Sequence, residues 1–156
     1  MRHIVPGAVL ALCASAFLSL GCGSGAAPSA NSLTKVYTEV IQPTCTSDFC
    51  HYNGVGIRFG ALDMSSQVRT FWSLVGQPCN GASCMNMGTR VVPGQPDISI
   101  MYLKISQPTP PCGSQMPADT GYFLTSGGTA QFSGTAVPED QQNLIRAWIQ
   151  EGAQDN

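Results

Sequence analysis

Seven cysteines lie in a chain of 156 residues, and one short segment that holds two of them limits what the chain can be. Cys45-Thr46-Ser47-Asp48-Phe49-Cys50-His51 sets a histidine directly after the second thiol of a cysteine pair. That order is how haem c is attached. Two thiols reach the two vinyl groups on one porphyrin edge, and the histidine swings under the ring to bind the iron. A longer stretch separates these cysteines than in the common Cys-x-x-Cys-His form. Two readings therefore stand side by side: a covalent haem c site, or a local Cys45–Cys50 disulfide with His51 as a bystander. A zinc site built from Cys45, Cys50, His51 and another cysteine is a lesser alternative, since a secreted setting favours disulfides or haem.

The rest of the composition removes several other classes. Charged residues are 10% of the chain, against roughly 25% in a typical soluble protein. The formal net charge is −2, and Lys and Arg do not cluster. A nucleic-acid partner, which needs several phosphate contacts, is not expected. No Ser/His/Asp arrangement, phosphate-cradling loop or paired-carboxylate motif stands out. With 17 glycines and 11 prolines, many turns and little continuous regular structure are expected.

Arg2 and His3 precede an apolar run, Ala8 to Leu20, that is too short for a stable membrane anchor. Residues 1–21 read as a secretory signal peptide. Gly21-Cys22 resembles the end of a bacterial lipobox, which makes Cys22 the candidate lipidation site. Residues 22–32, rich in Gly, Ala, Ser and Pro, form a flexible tether, and 33–156 form the folded domain. The expected location is the cell envelope, facing the periplasm. The absence of an acidic residue after Cys22 points to the outer membrane.

Within the domain the pattern predicts a mainly α fold with long loops. Leu33, Val36, Tyr37, Val40 and Ile41 make one apolar helical stripe, capped by Asn31 or Ser32 and stopped by Pro43. A second helix runs from Ser65 or Ser66 to Val75 with Val68, Phe71, Trp72 and Val75 inward, ended by Gly76 and Pro78. Asp97 caps a third through about Ile105, with Ile98, Met101, Tyr102 and Ile105 on one face. Alternation of Ile98, Ile100 and Tyr102 keeps a strand reading open there. A short hairpin insert is expected near 122–132, around Gly127-Gly128. Pro138 opens the last helix at its first position, with Glu139 and Asp140 at its positive end. Leu144, Ile145, Trp148 and Ile149 are its buried stripe, and Gly152 ends it. Trp72 and Trp148 are both expected in the core.

A haem in a one-haem domain commonly takes its sixth ligand from a downstream methionine. Met64, Met85, Met87, Met101 and Met116 are available. Met101 fits a core stripe, and Met64, Met85 and Met87 have no distinguishing context. Met116-Pro117 sits on a loop, where proline stiffens the backbone that presents a soft thioether. Met116 is therefore the preferred ligand. Arg90 is a candidate partner for a haem propionate, because a half-buried carboxylate wants a bidentate donor. The competing reading is a solvated loop arginine.

Several segments, in order, resemble the class I cytochrome c family, in particular small cytochrome c-like lipoproteins of bacteria. They are Ile41-Gln42-Pro43 with Cys45, Cys50-His51, Gly60-Ala61-Leu62-Asp63-Met64-Ser65, and Arg90-Val91-Val92-Pro93-Gly94 with Pro96-Asp97 and Ser99. Lys104, Cys112-Gly113-Ser114-Gln115-Met116-Pro117 and Ile145-Arg146-Ala147-Trp148-Ile149 with Gly152-Ala153 complete the set. The resemblance covers about 33 to 154. It implies that the first and last helices pack together, that Cys45 and Cys50 form thioethers to haem c, and that His51 and Met116 are the proximal and distal iron ligands. It also implies one-electron transfer to redox partner proteins. The alternative is a haem-free, disulfide-stapled envelope lipoprotein acting as a structural or binding module. Cys79, Cys84 and Cys112 remain as disulfide candidates. A bridge from Cys112 to Cys79 or Cys84 is favoured, since it would pin the Met116 loop, and a local Cys79–Cys84 bridge is the alternative.

Overall fold

The structure, a computed structural model, describes residues 29–46, 51, 62–117 and 136–156. The signal peptide, Cys22, most of the tether, Cys50 and the expected hairpin near 122–132 lie outside the described residues. Among those described, the regular structure is helical, and β-pairing is limited to two isolated bridges. The mainly α expectation holds at that level, and the strand reading around Ile98–Tyr102 does not: helix occupies Ile100–Ser106.

The chain enters through a composite helix. Helix α1 (Leu33–Val36), a π-helical stretch (Tyr37–Ile41) and α2 (Gln42–Cys45) follow one another without a break. Ser32 caps the start by accepting the Lys35 N–H at 3.2 Å, as expected of a side chain that satisfies an orphan donor. Pro43 does not stop this helix. A proline inside an α-helix lacks an N–H and collides with the carbonyl four residues back. Here the turn before it is widened, so that Gln42 N–H donates to Tyr37 O, five residues back. The wider turn accommodates the ring and lets the helix run on to Cys45.

Helix α3 (Gln67–Leu74) is capped by Ser66, whose side chain accepts the Arg69 N–H. Its buried positions are Thr70 and Leu74, with Phe71 and Val75 half-buried against the core. Val68 and Trp72, expected inward, are 57% and 67% exposed. Two turns of helix are short enough for two overlapping faces to share Phe71, and the less apolar face is the one that docks. Trp72 instead stands edge-on to Phe71, with ring centroids 5.4 Å apart.

Residues 75–79 return along 88–91. Gly76 N–H donates to Val91 O, Arg90 N–H to Gln77 O and Cys79 N–H to Gly88 O. The predicted third helix is two elements, a 3-10 turn (Pro96–Ile98) and α4 (Ile100–Ser106). Ser99, fully buried and extended, separates them. Its hydroxyl donates to Gln95 O at 2.8 Å and accepts Val92 N–H at 2.9 Å. That break shifts the helical phase, so Ile98 faces solvent at 54% exposure. Asp97 is no cap; it sits in the 3-10 turn and pairs with Arg146 at 3.1 Å.

Helix α5 (Glu139–Gln150) buries Ile145, Trp148 and Ile149. Pro138 is its N-cap rather than its first helical residue. Gly152 leaves it at φ +101°. Helix α5 packs on α1 and α4, and Leu33, Val36, Val40 and Ile41 share one core with Ile145, Trp148 and Ile149. The first and last helices thus pack together. The chain ends are also joined: Thr34 N–H donates to Asn156 O at 2.9 Å, and Asn31 Nδ2 to Glu151 Oε1 at 2.6 Å.

Candidate functional site

The segments that leave α2, α3 and α4 converge on one solvent-open cavity. Its walls are mainly apolar, with Leu62, Met64, Leu74, Ile100, Met101 and Ile105 contributing. Set into them are Cys45, His51, Met116, Cys79 and Cys84, together with Arg90 and Lys104. No acidic side chain lines the cavity among the described residues.

Cys45 is the last residue of α2, so the continued helix is what delivers it. His51 N–H donates to Cys45 O at 3.0 Å. The His51 carbonyl accepts Met64 N–H at 2.8 Å. These two bonds hold the histidine between the end of α2 and the approach to α3. Burial, helped by the positive charges of Arg90 and Lys104, holds its imidazole down to about 4. It is therefore neutral at pH 7, the form that has a ring lone pair to offer. His51 Nδ1 is buried with no hydrogen-bond partner, an unsatisfied state that calls for an explanation in a native fold.

Met116 arrives from the opposite side of the sequence, on the segment after α4. Its N–H donates to Lys104 O at 2.8 Å. Cys112, four residues earlier in that segment, is bridged to Cys84. The cross-chain pairing favoured from sequence is thus present, and Cys84 is the partner. Cys79 is left as a buried thiol outside the bridge, packed with Ile100 and Cys112. Burial pushes that thiol up, which makes it a poor nucleophile.

Arg90 is not a solvated loop arginine. It is 8% exposed and its Nη1 donates to Ser73 O at 2.6 Å, a bond that fixes the side chain at the cavity wall. Met85 and Met87 are surface residues, 58% and 53% exposed. Met64 is 3% exposed and at the cavity. Sequence reasoning passed over it, and only the main-chain bond to His51 reveals its place. Lys104 belongs to the segments that carry the resemblance, but a lone lysine on a short helix gives no sign of its role.

Among the described residues no three His, Cys, Asp or Glu groups gather as a metal site, and no helix is long and apolar enough to cross a membrane. No family model, curated protein or solved structure matches this chain.

Proposed function

We propose that the chain is a monohaem c-type cytochrome of the class I kind, carrying single electrons in the bacterial periplasm from a lipid anchor at Cys22. The observation that carries this reading is the convergence of Cys45, His51 and Met116 on one apolar cavity. The donor set suits haem c. Cys45 supplies a thiol, a neutral imidazole with an unpartnered buried nitrogen stands beside it, and soft thioethers line the same walls. When bound, the haem supplies a one-electron iron couple.

The chain's own contribution is placement and exclusion of water. Cys45 and Cys50 would hold the group covalently, and His51 would ligate the iron with its orientation set by the Cys45 and Met64 main chain. Met116, rather than Met64, would supply the second protein ligand to the iron. Met64 is bonded through its own N–H to the His51 carbonyl and so stands beside the histidine, whereas Met116 is delivered by a separate segment. Arg90, held at the cavity wall by its bond to Ser73 O, would meet a propionate. With the group bound, the apolar walls would limit its contact with water and, with a thioether ligand, favour a raised potential.

Two measurements test this. The full chain, expressed to the periplasm with haem c maturation machinery, should give a pyridine haemochrome of one covalent haem per chain. A colourless, folded protein with Cys45 and Cys50 oxidised to a disulfide would replace the cytochrome with a stapled binding module. Met116→Ala should keep the covalent haem but lower the reduction potential and change the visible spectrum. An unchanged potential would remove Met116 from the iron.

A further inference from the structure

We infer that Lys104 is the positioning residue of the Met116 thioether, gripping the 112–116 segment at both ends. This rests on the reading of Met116 as an axial ligand. Lys104 touches that segment twice. Its carbonyl accepts Met116 N–H at 2.8 Å, and its Nζ donates to Cys112 O at 2.9 Å. Between these contacts the chain turns over the ammonium at Gly113, φ +59°. A Cβ there would lie 3.0 Å from Lys104 Nζ and 3.6 Å from Cys84 Sγ. Glycine suits this turn: a positive φ strains most side chains, and a Cβ would press the ammonium aside.

The ammonium is an expensive way to hold a loop. It is half-buried, desolvation lowers its proton affinity, and among the described residues it has no carboxylate partner. An apolar side chain of equal length would fill the same volume without that cost. What the ammonium adds is a charge-assisted bond of fixed direction to the Cys112 carbonyl. The Cys84–Cys112 bridge ties the start of the segment to the neighbouring loop, four residues short of Met116. Lys104 adds a contact at each end of the segment and so sets where Met116 emerges. Its role is thus on the geometry of the sulfur rather than on the cohesion of the fold.

The test uses the full, haem-loaded chain and four single variants: Lys104→Met, Gly113→Ala, Met116→Ala and, as a remote charge deletion, Arg146→Met. Lys104→Met should keep one covalent haem, yet lower the potential and change the spectrum in the direction of Met116→Ala. The double variant Lys104→Met/Met116→Ala should show no shift beyond Met116→Ala alone. Met116 amide exchange should quicken about tenfold or more in Lys104→Met, as expected for loss of a charge-assisted hydrogen bond. Gly113→Ala disturbs the same contact with the charge retained and should shift the potential the same way, which decides the matter if Lys104→Met fails to fold. Arg146→Met should leave the potential alone. If Met116→Ala shifts the potential while Lys104→Met and Gly113→Ala keep the wild-type value, Lys104 does not position the sulfur. If Met116→Ala itself shifts nothing, the ligand reading fails first and the inference falls with it.

Discussion

Trp148→Ala is expected to destabilise the protein by about 3–5 kcal/mol, the range for truncating a large buried aromatic. Trp148 is 1% exposed in the core that α5 shares with α1, and its Nε1 donates to Gln154 O at 2.9 Å. Two contributions are therefore lost together: the packing of the ring and the bond that folds the C-terminal segment back on the helix. Trp148→Phe separates them, because it keeps most of the volume and removes only the donor. Its cost should be about 1–2 kcal/mol, a hydrogen bond lost plus some repacking. Urea titration of both variants measures the difference. A Trp148→Ala cost below about 1 kcal/mol would mean that the ring is not enclosed between these helices.

The second large effect is removal of the Cys84–Cys112 bridge, whose cysteines are 28 residues apart. Closing a loop of that length restricts the unfolded chain enough to stabilise the fold by about 3.5 kcal/mol on the chain-entropy account. The paired substitution Cys84→Ser/Cys112→Ser should show a loss of that order in urea. Alkylation of the native, unreduced protein should leave Cys84 and Cys112 unmodified. Cys79, 5% exposed with its thiol pushed up by burial, should react only once the protein unfolds. A bridged peptide containing Cys79 would overturn the pairing.

The parts of the fold legible in the sequence are those where one local signal acts without competition. Ser32 and Ser66 cap their helices because a hydroxyl next to an apolar repeat has one good partner, the N–H three residues on. The stripe of α5 is readable because three turns leave only one apolar face. Failures came where a second effect competed. Pro43 terminates an ordinary α-helix, but a π turn ahead of it changes what the ring meets. Val68 and Trp72 obey helical spacing and still face outward, since the orientation of so short a helix is set by what it docks against. Ile98 was lost to the buried hydroxyl of Ser99, whose partners Val92 and Gln95 are set by the tertiary turn.

The site divides in the same way. Cys45 and His51 are visible because their chemistry is written in adjacent residues, and Met116 because proline marks its loop. Arg90 was named but not its burial. Met64 and Lys104 have their meaning only through main-chain bonds to His51 and Met116, contacts that no local spacing encodes.

The joined ends of the domain have a consequence for how it can be carried. Asn31 and Thr34 meet Glu151 and Asn156 through direct hydrogen bonds, so chain leading in and chain leading out share one point on the surface. A domain closed in this way behaves as a cassette. It can be spliced into an exposed loop of a host protein, or relinked end to end and reopened elsewhere, with little strain on its core.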